Sequence, residues 1–190
     1  MSANASSTIT PEKLERLQYL SDRLEIIDCL TRVARGADRC DREIYLSAFH
    51  SDAKIQHPNR QGSPSESIEK GIAFLEEAYF SSCHNILNHT CEIKGDIAYT
   101  ETYYLFIARN RDQTNRISGG RYLDRLERRS GEWKIASRRL ITEYAGIIPP
   151  KMVLADEAIL KMEISEGFKA PSRTRDDPSY DRPGSAQVPN

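Results

Sequence analysis

The chain has 190 residues, with 27 lysines and arginines against 28 aspartates and glutamates, so its formal net charge at pH 7 is -1. This balance gives no reason to expect nucleic acid or an anionic membrane as a partner. The sequence begins without a basic segment followed by an apolar run, and no apolar window approaches the roughly 20 residues that span a bilayer. We therefore expect a cytoplasmic protein.

The length suits one domain followed by a tail. Residues 1–9 are predicted to be disordered, residues 10–148 to form the domain, and residues 149–190 to form a C-terminal extension. Within this extension, residues 151–165 are compatible with a short helix, whereas the segment after Gly167 is rich in proline, serine, arginine and aspartate and predicts a flexible tail. The four cysteines show no C-x-x-C spacing, which favours reduced thiols over a disulfide framework or a zinc site.

The first predicted element is a long amphipathic helix that begins after Thr10, with Pro11 at its first position and Glu12 in its first turn. Apolar residues then recur at three- and four-residue steps, or their sum, at Leu17, Leu20, Leu24, Ile27 and Ala34. Asp38 lies four residues further on, and its carboxylate faces the core if the helix continues that far. Alternatively, Asp38 closes this helix or caps the next one, a role for which Asp41 is better placed.

The next predicted elements are a short helix after Asp41, a strand and a third helix. The strand covers Ala53 to His57 and places Ile55 and His57 on one face. Pro58 to Pro64 reads as a loop because it contains two prolines, a glycine and an asparagine. Apolar residues at helical spacing then predict a helix over Ile68 to Phe80.

Two extended runs between Cys83 and Tyr104, joined by a Lys94-Gly95-Asp96 turn, predict a β-hairpin. Alternation places one set of side chains on one face, namely His84, Ile86, Asn88 and Thr90, and places Cys83, Asn85, Leu87 and His89 on the other. Polar groups therefore stand on both faces, unlike in a strand that only covers an apolar core. His84 is the first candidate for chemistry, provided that an acidic side chain reaches it.

Two further strands complete the predicted sheet. The second hairpin strand runs to about Ala108, a polar turn covers Arg109 to Asn115, and strands follow from Ser118 to Leu126 and from Glu132 to Tyr144. Helices followed by four successive antiparallel strands predict an α+β fold, in which the helices cover one face of a curved sheet.

Several motifs occur in an order that resembles the SnoaL-like branch of the nuclear-transport-factor-2-like superfamily, over about residues 12–146. They are Arg35-Gly36-Ala37-Asp38-Arg39, Phe49-His50-Ser51-Asp52-Ala53, His84-Asn85-Ile86-Leu87-Asn88, Gly95-Asp96-Ile97-Ala98, Gly119-Gly120-Arg121-Tyr122 and Gly131-Glu132-Trp133-Lys134-Ile135. The nearest group contains scytalone dehydratase, hexachlorocyclohexane dehydrochlorinase and bile acid dehydratase. The resemblance implies a cone-shaped barrel, in which a curved, mostly antiparallel sheet wraps on three N-terminal helices and encloses an apolar pocket.

The resemblance also implies an acid/base dyad, formed in these relatives by an aspartate near the end of the long helix and a histidine opening the strand after the third helix. Asp38 and His84 occupy these positions. His84 would act as the general base while Asp38 holds the imidazole in one tautomer. The implied activity is that of a cofactor-independent lyase, a dehydratase or related enzyme that eliminates water, halide or formaldehyde from a small hydrophobic, aromatic compound. Tyrosines that two relatives carry near this aspartate are Val33 and Ala37 here.

Substrate-binding residues are predicted from the strand faces. With Trp133 assigned to the packed outer side, alternation points Arg138, Leu140, Thr142 and Tyr144 into the pocket, although a shift of one residue would exchange Arg138 for Arg139. Arg138 is then the electrophilic anchor. The other predicted pocket residues are the polar His57, Asn88 and Tyr104 and the apolar Ile55 and Phe106.

The same residues are also compatible with two other classes of function. Isomerisation or cyclisation of a polyketide or steroid-like substrate needs the same proton abstraction without a leaving group. A non-catalytic small subunit or ligand-binding module, like the small subunits of ring-hydroxylating dioxygenases, would use Asp38 and His84 as a buried polar pair. We expect no metal, because His57, His84 and Asp38 lack the local spacing of a metal site. The resemblance also implies that no cofactor is needed. The resemblance further implies a homo-oligomer, a dimer or trimer.

Overall fold

Helices and one curved sheet form the domain in the computed structural model, which describes residues 9–57, 60–148 and 172–180. The helices are α1 (Pro11–Asp38), α2 (Arg42–Ser47) and α3 (Pro64–Ala78). The strands are β1 (Phe49–His57), β2 (Arg60–Gly62), β3 (Tyr79–Lys94), β4 (Ile97–Asn110), β5 (Asn115–Arg129) and β6 (Glu132–Ile148). The predicted α+β class is confirmed, with the helices on one side of a sheet that does not close.

Helix α1 begins where the capping signals predict, since the Thr10 side chain accepts a hydrogen bond from the backbone N–H of Lys13. The predicted apolar stripe is partly wrong, because Leu17, Leu20 and Leu24 are exposed. The buried residues of α1 all lie from Asp22 onwards, so only its C-terminal part packs in the core. Two further predictions, disorder in residues 1–8 and a helix in residues 151–165, lie outside the described residues.

A close contact between α1 and α2 positions the end of α1. The Asp41 side chain accepts a hydrogen bond from the Ile44 backbone N–H, so Asp41 is the predicted cap of α2 and Asp38 is free for another role. Gly36 faces the start of Tyr45, and a Cβ atom at Gly36 would lie 2.6 Å from the backbone nitrogen of Tyr45. A glycine is needed at this position because any side chain would push α2 away from α1.

Gly36→Ala is expected to destabilise the protein by about 1–3 kcal/mol, since the added methyl group overpacks a backbone contact. Urea unfolding followed by circular dichroism measures this change as a lower midpoint at unchanged slope. Gly146→Ala is the matched control, because a Cβ atom there has no neighbour within 4 Å. A Gly36→Ala protein as stable as the Gly146→Ala protein would contradict the account of this contact.

The strand order in the sheet is β2-β1-β6-β5-β4-β3. The predicted hairpin is present, with β3 and β4 antiparallel and Lys94 opposite Ile97. Strand β1 is the exception to the antiparallel pattern, because it pairs parallel to β6 with Ile55 opposite Arg138. Strand β1 begins earlier than predicted, and the loop predicted over residues 58–64 contains the short strand β2, which pairs with β1.

Part of the C-terminal extension lies against the helices, so the prediction of a flexible tail is wrong for residues 172–180. Arg173 donates to the carbonyl oxygens of Leu75 and Tyr79 at the end of α3. Asp177 Oδ1 lies 3.1 Å from Nε of Arg39, the residue that follows α1. Burial by itself raises the pKa of Asp177, but hydrogen bonds from Ser179 and the Ser172 backbone, with the charge of Arg39, outweigh it and lower the pKa to about 2. These charged contacts hold the segment against the domain.

Candidate active site

Asp38 and His84 form a direct contact between the last residue of α1 and the first half of β3. Asp38 Oδ1 lies 2.6 Å from His84 Nδ1, and Asp38 Oδ2 accepts the backbone N–H of His84 at 2.8 Å. The Ser82 hydroxyl donates a third hydrogen bond to Asp38 Oδ1, at 3.2 Å. Three groups of β3 therefore bind the carboxylate, which fixes its position relative to the imidazole ring.

This contact determines which ring nitrogen of His84 remains available. A carboxylate at Nδ1 favours the tautomer with its proton on Nδ1, so Nε2 keeps its lone pair. The His84 ring also packs on Phe106, with the two ring centroids 4.6 Å apart. Because the side chain of His84 is 16% exposed and lines an internal cavity, Nε2 can meet a ligand there.

The cavity lies between the inner face of the sheet and the helices and has a volume of about 610 Å³. This volume is typical of sites that enclose a small organic ligand. Seven aromatic side chains line it: Tyr45, Phe49, Phe74, Tyr79, Tyr104, Phe106 and Tyr122. The aliphatic lining comes from α1, α3 and the strands, and includes Leu30, Val33, Leu75 and Ile86.

Most of the residues predicted to bind a substrate line this cavity. They are Ile55, His57, Tyr104, Phe106, Arg138, Leu140 and Thr142. Asn88 and Tyr144 do not line it, and both are exposed. Arg138 is buried and Arg139 is exposed, so the open choice between these two arginines is settled in favour of Arg138.

A β-bulge explains why the prediction for Asn88 is wrong. The pairing of β3 with β4 shifts between Ile86 and His89, which inserts an extra residue into β3. His84 and Ile86 face the cavity before the bulge, and Cys91 and Ile93 pack on the core after it. Asn88 therefore lies on the outer face, contrary to strict alternation.

Two more bulges change the faces of β6. Trp133 is buried and donates its Nε1–H to Asp22 of α1, so its assignment to the outer side is wrong. The register shifts between Ile135 and Ser137, and this bulge brings Arg138 onto the same inner face as Trp133. Arg138 therefore faces inward as predicted, although the prediction assumed that Trp133 faces outward. It shifts again between Thr142 and Tyr144, and this second shift turns Tyr144 outward.

Arg138 and Asp124 form a buried ion pair beside the cavity. The guanidinium donates to both carboxylate oxygens at 2.7 Å, from Nε and Nη2, and it lies 4.3 Å from the centroid of the Tyr122 ring. Burial by itself lowers the pKa of Arg138, but the charge and hydrogen bonds of Asp124 outweigh it and raise this pKa. Arg138 thus stays cationic, and Asp124 balances its charge.

Two tyrosines place hydroxyl groups in the same region. Tyr104 stacks on Tyr122 with ring centroids 4.8 Å apart, and its hydroxyl lies 3.2 Å from the Thr142 hydroxyl. Burial raises the pKa of Tyr122, so its hydroxyl stays protonated at neutral pH. Both hydroxyls can therefore donate hydrogen bonds to an oxygen or a halogen on a ligand.

Several lining residues were not predicted from the sequence, above all Lys70, Tyr79, Arg116 and Tyr122. Two signals could have found some of them. Lys70 lies one helical turn before Phe74, and the alternation of Arg116, Ser118 and Tyr122 along β5 places these three on one face. The described residues contain no group of three or more His, Cys, Asp or Glu side chains placed to hold a metal ion. The expected absence of a cofactor remains a prediction.

A curved sheet that packs on three helices around a deep cavity defines the cone-like class of α+β fold found in nuclear-transport-factor-2-like proteins. The profile of the SnoaL-like domain matches residues 18–139, so the chain belongs to the SnoaL-like domain family. The resemblance seen in the sequence is therefore confirmed. No curated protein matches the chain.

Solved structures share this fold at low sequence identity. Hexachlorocyclohexane dehydrochlorinase LinA-type3 from Novosphingobium barchaimii is 16% identical, with a TM-score of 0.68 over 74% of this chain and 99% of that one. A candidate scytalone dehydratase from Novosphingobium aromaticivorans is 19% identical, with a TM-score of 0.62 over 67% of this chain and 88% of that one. A Mycobacterium tuberculosis protein of unknown function is 19% identical, with a TM-score of 0.60 over 84% and 94% of the two chains. At such identities the likeness establishes the fold alone.

In the described part of the chain, no helix is both long enough and apolar enough to cross a membrane.

Proposed function

We propose that this protein is a cofactor-independent lyase, which eliminates a leaving group from a small hydrophobic ring compound. The observation that carries the proposal is the 2.6 Å contact between Asp38 and His84 beside a cavity with seven aromatic side chains. A histidine has an unperturbed pKa of about 6.5, so it can accept and release a proton near neutral pH.

In the proposed reaction, His84 Nε2 removes a proton from a carbon next to the one that bears the leaving group. The electrons of the broken C–H bond form a double bond, and the leaving group departs with the electrons of its own bond. Asp38 stabilises the imidazolium cation that His84 becomes, because its carboxylate lies at Nδ1. A halide leaves directly, and a hydroxyl group leaves as water after it takes the proton back from the imidazolium. Loss of formaldehyde balances differently: the base removes the proton of a CH₂–OH hydroxyl, the C–C bond breaks, and the remaining fragment keeps its electrons and then takes a proton from the imidazolium.

Negative charge develops on the substrate while the proton leaves, and the cavity holds groups that can stabilise it. The Tyr104 and Thr142 hydroxyls form a hydrogen bond of 3.2 Å, in which one donates and the other accepts, so the accepting hydroxyl can donate to a substrate oxygen or halogen. The Arg138 guanidinium adds positive charge and is held in place by Asp124. Donors that are fixed before the reaction stabilise such charge with little reorganisation.

The family comparison agrees with this chemistry. Structures with the same fold include a dehydrochlorinase and a candidate scytalone dehydratase, and each of these names describes an elimination. The aromatic lining favours a ring compound, since flat apolar surfaces bind stacked rings.

The test is a turnover assay on the full-length protein with a panel of ring compounds that carry a hydroxyl or halogen β to an acidic C–H bond. Reactions run in D₂O, and proton NMR with mass spectrometry detects loss of water or acid and uptake of deuterium. We expect at least one compound to lose its leaving group faster than in buffer alone. Deuterium exchange without elimination would assign isomerase chemistry instead. No consumption and no exchange of compounds that bind the cavity would overturn the proposal in favour of a binding module.

A further inference from the structure

The cavity has an excess of positive charge that the elimination chemistry leaves unexplained. Three cationic side chains, Lys70, Arg116 and Arg138, line it, and its described lining contains no aspartate or glutamate. Asp124 balances the charge of Arg138 through two hydrogen bonds. Within the described residues, neither Lys70 nor Arg116 forms an ion pair or a side-chain hydrogen bond. Among the described residues, Arg116 therefore has no ion-pair partner that would compete with a ligand, whereas Lys70 is exposed and its charge also acts on Glu66, one helical turn earlier.

The position of Arg116 relative to His84 follows from the sheet register. His84 lies opposite Phe106, and Phe106 lies opposite Ser118, so these residues form one row across β3, β4 and β5. Arg116 is two residues from Ser118 on the same face of β5, which is about 7 Å along the strand. Strand β5 is two strands from β3, about 10 Å across the sheet. The two offsets together place the backbone of Arg116 about 12 Å from that of His84. A small ring compound can therefore extend from the imidazole to the guanidinium.

Aromatic side chains line the same cavity as these two residues. The centroid of the Phe106 ring lies 4.6 Å from that of His84 and 5.5 Å from that of Tyr79. The ring centroids of Tyr79 and Phe74 are 5.7 Å apart. Burial raises the pKa of Tyr79, and the nearby charge of Arg116 acts against this shift, which is consistent with their proximity. A row of aromatic side chains therefore leads from His84 towards the arginine.

We propose that the substrate of this site is an aromatic carboxylate, whose ring packs on Phe106 and Tyr79 and whose carboxylate binds Arg116. The inference rests on the proposed function, since His84 is assumed to act on the opposite end of the same molecule. A guanidinium can bind a carboxylate through two parallel hydrogen bonds, which fixes the direction of the ligand as well as its position. Lys70 contributes a second positive charge from α3. Anchoring the far end of the substrate holds its acidic C–H bond near His84.

The test compares two probes of the same shape that differ in charge, naphthalene-2-carboxylate and naphthalene-2-carboxamide. Isothermal titration calorimetry on the full-length protein is expected to show the carboxylate binding about tenfold tighter or more. The preference is expected to weaken as salt rises, because ions screen the attraction. Arg116→Gln is expected to abolish the preference by weakening only the carboxylate, and Lys70→Gln to reduce it.

Two outward-facing residues supply matched controls. Arg139→Gln and Lys54→Gln remove the same charges from exposed positions on β6 and β1 outside the cavity, and we expect both to keep the preference. Equal affinity for the two probes, no binding of the carboxylate, or a preference that survives Arg116→Gln would each overturn the inference.

The probes carry no leaving group, so the result separates this inference from the proposed function. If the preference is absent while His84-dependent elimination is present, only the inference fails. If the preference depends on Arg116 in a protein that eliminates nothing, only the proposed function fails.

Discussion

His84→Ala is expected to lower kcat by about 10²–10⁴-fold while leaving the fold intact, because it removes the group that accepts the proton. Asp38→Asn is expected to lower kcat in the same direction, since an amide places no negative charge beside the imidazolium at Nδ1. Separate measurement of kcat and KM distinguishes lost chemistry from lost binding, and circular dichroism verifies the fold. The double variant is expected to be little slower than His84→Ala, because the two residues act as a unit.

Two substitutions near the dyad serve as controls for this prediction. Ser82→Ala removes only the weakest of the three hydrogen bonds to Asp38, the one of 3.2 Å, so its turnover is expected to stay within about tenfold of wild type. His50 forms a hydrogen bond with the backbone carbonyl oxygen of Glu127 and does not line the cavity. We therefore expect His50→Gln to cause no loss of turnover. A folded His84→Ala protein with wild-type turnover would refute the assignment of His84 as the base.

Asp124→Ala is expected to destabilise the protein by about 3–5 kcal/mol. The side chains of Arg138 and Asp124 are only 7% and 0% exposed. The substitution therefore leaves the Arg138 guanidinium buried without its partner. Urea unfolding at neutral pH measures the free energy of unfolding.

A double substitution tests the reason for this loss. Asp124→Leu with Arg138→Met replaces the pair by apolar side chains, and we expect it to recover most of the stability lost in Asp124→Ala. Arg129→Gln provides a surface comparison, because it removes the ion pairs of the exposed Arg129 with Asp52 and Glu127 and is expected to cost less than about 1 kcal/mol for each pair. If Asp124→Ala costs no more than Arg129→Gln, the buried pair does not have the stabilising role assigned to it.

Local signals in the sequence were sufficient for the starts of α1 and α2 and for the central hairpin, whereas α3 begins at Pro64, before the predicted start at Ile68. The Thr10 and Asp41 caps and the Lys94-Gly95-Asp96 turn depend on neighbouring residues only, so they appear in the structure where they were predicted. The pair of Asp38 and His84 could also be named from the sequence, by the helix spacing and by family resemblance. Its role in catalysis remains a prediction.

Strand faces were predicted less well, because each β-bulge depends on hydrogen bonds to the partner strand. Alternation placed Asn88 and Tyr144 inside, and bulges in β3 and β6 turn both outward. Arg138 was placed correctly from a wrong premise, since Trp133 is itself on the core side and the bulge between them reverses the alternation. A sequence carries no direct record of cross-strand register, so alternation cannot be extended safely along strands of about 15 residues.

The sequence by itself determined the order of helices and strands apart from the short β2, and the caps and turns named above, because short-range spacing encodes these features. Together with family resemblance, it also gave the two residues proposed for acid/base chemistry. Only the tertiary structure decided which side chains surround the cavity. Lys70 and Arg116 reach it from α3 and β5, which are far apart in the chain. Their meeting depends on how the helices pack on the sheet, and no local pattern in the sequence specifies that packing.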